Sequence, residues 1–413
     1  MAAGRAPDVA VIGGGPAGLA AAAAARETGA RVILIERGPC LGGILNQCIH
    51  DGFGLHVFGE ALTGPEFAGR YAARAAEAGV DVRVGTLVTR LGTDRTLTCT
   101  TLGRRYPLAP AAVVLAMGCR ERTRGMLRIP GPRPAGIYTA GTAQALINEA
   151  NILVGRRVVI LGSGDIGLIM ARRLTWEGAN VAAVLEKLPY PSGLARNVRQ
   201  CLEDYKIPLT LSSTVAEVHG AEKLEGVTAV RVDAAGRAIP ETAWEIPCDT
   251  LLLSVGLIPE NEISRQAGIP IDPRTGGAHV DARCMTDLPG VFACGNVLHI
   301  HDVADWAAEE GEHAGQQAAR FAGGDTRPRH TVDVRPGDGI RYVLPQRIPA
   351  DASDSLLSMR VGAPGRDRRI RVRCADRLVL ERDVRRAVPA EMIRLRVRCD
   401  GTPFSGPVEV ELR

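Results

Sequence analysis

The chain has 413 residues, of which 46% are hydrophobic and 23% charged, and this is typical of a soluble globular protein with two or three domains. Its formal net charge of +4 and its aromatic content of 4% argue against nucleic-acid binding as the main task. The ten cysteines are scattered without paired spacing. We therefore expect no disulfide framework, no metal site and a cytoplasmic location.

The longest apolar stretch, residues 9–25, contains four glycines and a proline and lacks the basic region that precedes the apolar core of a signal peptide. No other run approaches the length of about 18 apolar residues that a membrane span needs. We expect no transmembrane segment.

The first predicted unit is a strand, a turn, a helix and a second strand. The apolar run Val9–Ile12 is followed by Gly13, Gly15 and Gly18, which have the spacing G-x-G-x-x-G. In dinucleotide-binding folds the first glycine permits a tight turn, the second admits the pyrophosphate and the third lets the helix pack closely. Glu36 comes 18 residues after the last glycine, near the distance expected of a ribose-binding acid. The alternative is a glycine-rich turn that binds nothing.

The same pattern occurs a second time in the chain. Val158–Leu161 precedes Gly162, Gly164 and Gly167, and Glu186 comes 19 residues after the last of them. Two complete copies in one chain predict two dinucleotide sites. A structural second copy without ligand is again the alternative.

The residues at the end of the second copy indicate which nucleotide it prefers. Glu186 would accept hydrogen bonds from both ribose hydroxyls and repel a 2′-phosphate. Lys187, not an arginine, follows it. NAD(H) is therefore favoured over NADP(H).

Each copy is followed by an apolar strand that ends in glycine. After a hairpin arm from Arg105, the first strand is predicted over Ala112–Met117 and ends at Gly118. The second lies within Cys248–Asn261 and ends at Gly256. A third strand is predicted over Gly290–Cys294.

The third strand leads through a glycine into a helix predicted over Val303–Phe321, which a glycine pair at 323–324 ends. From Asp325 a polar, proline-bearing linker, residues 326–339, is expected, and short strands follow it. Segments such as RRIRVRC alternate arginine with apolar residues, a period of two that indicates one buried and one charged face. The arginines from Arg360 to Arg398 are interpreted as a solvated face or a subunit interface, not a nucleic-acid site.

The segments DVAVIGGGPAG, VVILGSGDIG and LPGVFACGN together resemble the FAD/NAD(P)-linked pyridine nucleotide oxidoreductases, flavoproteins with two dinucleotide-binding domains. The resemblance covers residues 8–324. It implies an α/β fold of two Rossmann-like dinucleotide-binding domains, the second inserted in the first, plus a small β-rich C-terminal module. The expected FAD-binding domain is 1–120 with 258–324, the NAD(P)H-binding domain is 121–257, and the linker and C-terminal module are 325–413.

The resemblance also implies which residues bind the cofactors. The set implied for FAD is Gly13, Gly15, Pro16, Ala17, Gly18, Glu36, Arg37, Gly42, Gly43, Ala116, Gly118, Gly295 and Asn296. The set implied for NAD(P)H is Gly162, Gly164, Asp165, Ile166, Gly167, Glu186 and Gly256. Asn296 stands where the family has an aspartate, and its amide can still hydrogen-bond a ribityl hydroxyl.

A closer resemblance is carried by Leu41–Ala68 and by the segment GNVLHIHDVADW. Both are similar to the oxidoreductase associated with an FAD-linked glycerol-3-phosphate dehydrogenase and a small cysteine-rich protein, which would then be partners. More distant relatives are the FAD/NAD subunits of opine, sarcosine and hydroxyproline oxidases.

Cys48 is the candidate catalytic residue. Disulfide reductases of the family carry a C-x4-C pair after the glycine pair, but here Cys48 is the one cysteine that follows closely, since Cys40 precedes Gly42. Cys48 is either a small residue packed near the flavin or a lone redox thiolate. His50 and His56 are either loop residues or groups that lower the pKa of its thiol.

The helix that follows Asn296 is expected to direct its N-terminus, near residues 302–304, toward the flavin. His299 and His301 are candidates to lie near the ring, and a metal site is not expected because no third ligand is evident. The acids that follow are expected to face solvent or an interface: Glu309, Glu310 and Glu312.

Three functions remain open from the sequence. The first is an FAD enzyme that exchanges electrons between NAD(H) and a partner protein or small acceptor. The second is a thiol or peroxide reductase that depends on Cys48. The third is a non-catalytic FAD-holding component of a hetero-oligomeric enzyme.

Overall fold

The computed structural model describes residues 6–326, 330–351, 354–398 and 402–413. The chain divides into two compact units, Met1–Cys119 with Pro259–Arg413, and Arg120–Ile258. The second unit is therefore inserted in the first along the chain.

The strands and helices are numbered in chain order. The first part contains β1 (Val9–Ile12), α1 (Pro16–Glu27), β2 (Val32–Ile35), α2 (Gly64–Glu77), β3 (Asp81–Arg83), β4 (Leu87–Leu91), β5 (Leu97–Thr101), β6 (Arg104–Leu108), β7 (Ala112–Leu115) and β8 (Cys119–Glu121). The inserted part contains α3 (Arg124–Leu127), β9 (Ile137–Thr139), α4 (Ala140–Asn148), β10 (Arg157–Leu161), α5 (Asp165–Trp176), β11 (Asn180–Leu185), α6 (Ala195–Val198), β12 (Leu209–Thr210), β13 (Ser213–His219), β14 (Gly226–Val232), β15 (Ala238–Pro247), β16 (Thr250–Leu253) and β17 (Leu257–Pro259). The last part contains α7 (Glu262–Gln266), β18 (Val291–Ala293), α8 (Ala304–Ala322), β19 (Thr331–Pro336), β20 (Ile340–Leu344), β21 (Arg347–Pro349), β22 (Ser355–Val361), β23 (Gly365–Cys374), β24 (Arg377–Ala387), β25 (Ile393–Val397) and β26 (Val408–Leu412).

The first unit is built on a parallel sheet in the order β18-β7-β1-β2-β3. Strands β1, β2 and β7 consist of aliphatic residues that are all buried, as expected of parallel strands covered on both faces. The backbones of α8 and α1 are in direct contact. A Cβ at Gly311 would overlap the carbonyl oxygen of Ala17, and one at Gly315 would overlap that of Ala21. The small residues of these helices thus bring the start of α1 close to α8.

The inserted unit repeats this architecture with its own core. Its parallel sheet has the order β12-β11-β10-β16-β9. Helix α5 covers the sheet with buried Leu168, Ala171 and Leu174. An antiparallel sheet, β13-β14-β15, follows, as β4-β5-β6 does in the first unit.

The C-terminal strands form two sheets, β21-β19-β26-β23-β24 and β20-β22-β25, whose apolar side chains share one core. In β23, Ile370, Val372 and Cys374 are buried and the arginines between them are not, which confirms the predicted alternation. The linker prediction is wrong over Thr331–Pro336, which forms β19, because its alternating valines bring Val334 into the core. Residues 327–329 of that linker lie outside the described residues.

This α/β arrangement with two parallel-sheet units and a β-rich C-terminal region confirms the predicted fold class. The strand predicted at Val9–Ile12 has these bounds, and the late helix starts at Ala304, one residue after its predicted start. Across the described ranges, none of the helices combines the length and the apolar character that crossing a membrane requires.

Candidate functional site

The first glycine turn has two glycines that packing requires and one that borders open space. Gly13 has φ +106°, and a Cβ there would overlap the carbonyl oxygen of Ala116. A Cβ at Gly18 would overlap the carbonyl oxygen of Gly13. By contrast, apart from its chain neighbours, no atom of the residues that the structure describes lies within 4 Å of a Cβ built on Gly15, which immediately precedes Pro16, the first residue of α1. The turn therefore leaves a space at the N-terminus of α1.

Glu36 lies beside this turn at the end of β2. Its carboxylate oxygens accept hydrogen bonds from the N–H groups of Gly14 and Gly38, each at 2.6 Å. Each oxygen keeps acceptor capacity for a further donor. The neighbouring Arg37 is exposed, and the N–H of Gly42 donates to the carbonyl oxygen of Gly14 at 2.8 Å.

The remaining residues implied for the first site come together from separate parts of the unit. A Cβ on Gly43 would lie 3.2 Å from Cα of Gly15, and one on Gly295 would lie 2.6 Å from Cβ of Ala17. Gly118 has φ +73°, and a Cβ there would have no described atom within 4 Å apart from its chain neighbours. The fold thus brings the 42–43 pair and the loop after β18 into contact with the glycine turn and the start of α1.

The second glycine turn is filled from one side by Ser254. A Cβ on Gly162 would overlap the carbonyl oxygen of Ser254, and one on Gly167 would lie 2.6 Å from Cβ of Ser254. A Cβ on Gly164, the middle glycine, would lie 3.2 Å from Oγ of the same serine. This turn therefore has less free space beside its middle glycine than the first. Gly256 follows β16 with φ +99°.

Glu186 is buried, with 5% of its surface exposed. Its Oε2 accepts hydrogen bonds from the N–H of Ser163 (3.0 Å) and from the hydroxyls of Ser163 (2.5 Å) and Ser192 (2.8 Å). Its Oε1 accepts the N–H of Leu188 (2.9 Å). Sequence reasoning missed both serines, and the only signal for them was the serine between the first two glycines. Most of the acceptor capacity of Glu186 is already used.

Asp165 is the first residue of α5 and holds a loop over the same turn. Its Oδ1 accepts hydrogen bonds from the N–H of Leu194 (2.8 Å) and from Nδ2 of Asn197 (2.6 Å). Ile166 is partly buried against the core of the unit. Residues 188–197 therefore lie against the second glycine turn.

Cys48 is partly exposed, and its Sγ lies 3.3 Å from the carbonyl oxygen of Ile44. A ring nitrogen of His50 is hydrogen-bonded to the carbonyl oxygen of the next residue. The ring of His56 stacks on Trp306 with centroids 4.3 Å apart. Among the cysteines that the structure describes, none forms a disulfide.

Glu310 lies between two histidines, with 18% of its side chain exposed. Its Oε1 is 3.0 Å from Nε2 of His299, and its Oε2 is 3.6 Å from Nε2 of His301 and accepts the N–H of Gly295 at 2.7 Å. Burial disfavours the carboxylate, but the two imidazoles and their hydrogen bonds outweigh burial and hold the pKa of Glu310 well below its usual range. Burial lowers the pKa of His299, and the neighbouring His301 adds to this.

One sequence-based expectation about this region is wrong, and a second, the absence of a metal site, stays a prediction although the reason given for it does not hold. Glu310 does not face solvent, because α8 turns it toward the loop after β18. Half-buried Glu312 contacts Tyr71, whereas Glu309 stays half exposed. The histidine pair does have a third donor group nearby, since the ligand atoms of His299, His301 and Glu310 lie within 4.8 Å of one another.

The N-terminus of α8 is bound by a loop of the same unit. The helix begins at Ala304, and the buried carboxylate of Asp305 accepts the N–H groups of Gly54 (3.1 Å), His56 (2.9 Å) and Val57 (3.1 Å). Asp305 thus joins the loop after Cys48 to the helix that was expected to direct its positive end toward the flavin.

Sequence reasoning also missed two residues of the C-terminal strands. Tyr342 places its hydroxyl 3.5 Å from Nδ1 of His299, and Nε of Arg360 lies 3.1 Å from that hydroxyl. Asn296 stabilises the loop between β18 and α8, because its Oδ1 accepts the N–H of His301 at 3.0 Å. No sequence pattern connects positions this far apart.

Comparison with known protein families gives a match over most of the chain. The family described as pyridine nucleotide-disulphide oxidoreductase matches residues 7–318. The residues after 318, which include the C-terminal strands, lie outside this match.

Relatives and solved structures agree with that match. The chain is 30% identical over 232 residues to the ferredoxin–NAD(+) reductase component of the anthranilate 1,2-dioxygenase system of Burkholderia cepacia, covering 52% of each chain. It is 26% identical over 343 residues to an opine oxidase component of Agrobacterium tumefaciens, covering 76% of this chain and 63% of that protein, which supports the predicted kinship with opine oxidases. The chain thus spans between half and two thirds of these two relatives. The crystal structure of T. acidophilum thioredoxin reductase matches with a TM-score of 0.63 at 24% identity, covering 76% of this chain and 98% of that one, and shares its fold.

Proposed function

The chain belongs to the pyridine nucleotide-disulphide oxidoreductase family, and from this premise we propose that it passes electrons between NAD(H) and a partner protein or small acceptor by way of FAD. Members of the family are oxidoreductases that bind FAD and a pyridine nucleotide. When bound, these two groups supply hydride transfer between nicotinamide and flavin. The chain supplies binding, orientation and exclusion of water.

The observation that carries the proposal is the space beside Gly15. A Cβ would fill it, and the N-terminus of α1 opens onto it, so backbone N–H groups and the positive end of the helix dipole can hold a pyrophosphate there. Glu36 can accept ribose hydroxyls at the end of the adjacent strand. We therefore assign FAD to the first turn.

We assign NAD(H) to the second turn. The strand β10, the glycines and helix α5 have the required order, and the charge of Glu186 disfavours a 2′-phosphate. Because Ser163, Ser192 and Leu188 already bind Glu186, ribose hydroxyls would have to displace one of these donors. The charge of Glu186 supports NAD(H) over NADP(H), and the hydrogen bond that must be displaced predicts a modest affinity for NAD(H).

Anaerobic titration of the purified protein with NADH tests the proposal. We expect a yellow protein whose flavin absorbance bleaches with one equivalent of NADH and more slowly with NADPH. A protein that binds FAD but keeps its absorbance with both nucleotides would be a non-catalytic FAD-holding component. A colourless protein that cannot be reconstituted with FAD would contradict the assignment of the first turn.

A second candidate function is thiol or peroxide reduction by Cys48, which is partly exposed in the loop that follows the 42–43 glycines. Cys48→Ser should then abolish NADH-driven reduction of thiol or peroxide substrates and leave dye reduction intact. Cys40→Ser, at the exposed cysteine eight residues earlier, is the control. Equal activities in both variants would exclude this function.

The partner protein is proposed from resemblance. The segments Leu41–Ala68 and GNVLHIHDVADW support an FAD-linked glycerol-3-phosphate dehydrogenase with a small cysteine-rich protein. Two relatives are named as parts of larger enzyme systems. Rapid anaerobic mixing of the NADH-reduced protein with such a dehydrogenase would show flavin reoxidation if the two are partners, and none if they are not.

A further inference from the structure

Arg360 joins the C-terminal strands to the loop that follows β18. Its side chain, on β22, is 12% exposed. Its Nη1 donates to the carbonyl oxygens of Pro389 (2.9 Å) and Ala390 (2.6 Å), and its Nη2 to the carbonyl oxygen of Ile300 (3.0 Å) and to Asp302. Its remaining donor, Nε, lies 3.1 Å from the hydroxyl of Tyr342. All five N–H groups of the guanidinium thus have acceptors.

The chemistry of these groups sets the direction of the hydrogen bonds. A guanidinium can only donate, so the Tyr342 oxygen accepts from Arg360 and its own proton is available for Nδ1 of His299, 3.5 Å away. A neutral imidazole that accepts at Nδ1 carries its proton on Nε2. His299 then donates from Nε2 to Oε1 of Glu310 at 3.0 Å.

The last group in this series holds the backbone of the first site. Oε2 of Glu310 accepts the N–H of Gly295 at 2.7 Å. Gly295 is pressed against α1, since a Cβ there would lie 2.6 Å from Cβ of Ala17. A shift of Glu310 would therefore move Gly295 and the adjacent Asn296 relative to the first glycine turn.

We propose that Arg360 and Tyr342 are positioning residues for the first dinucleotide site, acting through His299 and Glu310 on the backbone at Gly295. The C-terminal strands, which lie outside the family match, thereby become part of the FAD-binding apparatus of this chain. The inference rests on the proposed assignment of FAD to the first turn.

Tyr342→Phe tests the proposal, because it removes one hydroxyl and keeps the ring. Tyr71→Phe is the matched control, since Tyr71 is also buried and its hydroxyl bonds Glu312, on the helix that carries Glu310, at 3.2 Å, whereas its ring contacts are with Phe58 and Phe67. Two quantities are measured in each protein. One is the dissociation constant for FAD on reconstitution of the apoprotein, and the other is amide hydrogen exchange of residues 295–302 in the apoprotein.

We expect Tyr342→Phe to weaken FAD binding by about 3- to 10-fold, the range for one lost hydrogen bond, and to increase exchange at 295–302. Tyr71→Phe should leave both quantities within about twofold of wild type. Arg360→Lys keeps the positive charge but loses the planar set of five N–H donors. It should therefore weaken FAD binding more than Tyr342→Phe does.

Unchanged FAD binding and exchange in Tyr342→Phe, or equal losses in the two tyrosine variants, would overturn the inference. If the wild-type protein binds no FAD, the proposed function fails, and amide exchange alone tests the positioning role. A selective increase at 295–302 in Tyr342→Phe then still supports the positioning role, and its absence overturns it.

Discussion

Glu310 is a carboxylate on α8, the helix whose face against α1 consists of small residues. It stays ionised although it is mostly buried, because two imidazoles face it and the N–H of Gly295 binds it. A buried charge of this kind needs all of its partners, since removing one leaves the others unsatisfied. The hydrogen bond between Glu310 and Gly295 therefore depends on the protonation state of His299 as well as on Glu310.

The lowered pKa of His299 predicts how stability changes with pH. Between its folded pKa and its unfolded value of about 6.5, the unfolded chain binds a proton that the folded protein does not. Stability is therefore full above about pH 6.5 and falls as the pH drops, by at most about 1.4 kcal/mol per pH unit for this one group. The groups that face His299 are His301, Glu310, Tyr342 and Arg360.

Urea denaturation of the first unit between pH 5.5 and 7.5 measures this slope. His299→Gln should be less stable at neutral pH and have a shallower slope in this range. An identical slope in wild type and variant would show that His299 does not titrate as described.

The glycines of the first turn give a second prediction. Gly18→Ala should destabilise the protein by several kcal/mol, because its Cβ would overlap the carbonyl oxygen of Gly13. Gly15→Ala should change the stability of the apoprotein by less than about 1 kcal/mol, since the described part of the chain has no atom beyond the chain neighbours within 4 Å of the added Cβ, and weaken FAD binding at least about tenfold. Thermal melts and FAD titrations of both variants check this. Tight FAD binding by Gly15→Ala would contradict the assignment.

At the scale of elements, α8 connects three parts of the first unit. Its glycine face lies against α1, and Asp305 in its first turn binds the loop at residues 54–57. The ring of Trp306 stacks with that of His56, and Cζ of Arg394 lies 4.2 Å from the Trp306 ring centroid. One helix thus fixes both the glycine turn and the loop that follows Cys48.

Asp305 provides a prediction at this scale. Asp305→Ala would leave three backbone N–H groups without their acceptor and should destabilise the first unit by about 2–4 kcal/mol. Asp305→Asn keeps one oxygen, so it should cost about half as much. Urea unfolding followed by flavin fluorescence measures both, and proteolysis should cut the 52–58 loop faster in the alanine variant. Equal stability of the alanine variant and wild type would contradict the role of Asp305 in holding this loop.

At the scale of the whole molecule, the chain forms two units that each have their own core. Leu115 lies in the central sheet of the first and Leu252 in that of the second, and both are fully buried. Units with separate cores can lose their structure separately. We therefore expect FAD binding and NADH binding to be lost at different temperatures.

Leu252→Ala and Leu115→Ala test this expectation as a pair, since each should destabilise its own unit by about 2–5 kcal/mol. Leu252→Ala should lower the temperature at which flavin reduction by NADH is lost and leave the temperature of FAD release unchanged. Leu115→Ala should lower the temperature of FAD release. Equal effects of both variants on FAD release would show that the units unfold as one.

Much of the fold was predictable because its signals are local. The turns at Gly13 and Gly162 and their flanking strands follow from residues within a few positions of each other. Glu36 lies beside its turn, as the spacing required. The role of Glu310 was not predictable, because its partners at 295–301 are brought to it by the path of the chain between β18 and α8.

By itself the sequence determined the two glycine turns, the fold class and the family, because glycine spacing and the alternation of apolar residues are constraints of the local backbone. Only the tertiary structure decided which turn has free space. Ser254 lies beside Gly164, whereas within the described ranges no atom beyond its chain neighbours lies within 4 Å of a Cβ on Gly15. It also decided that Glu186 is bound by two serines and that Tyr342 and Arg360 contact the loop after β18. These are contacts between distant segments, and packing sets them.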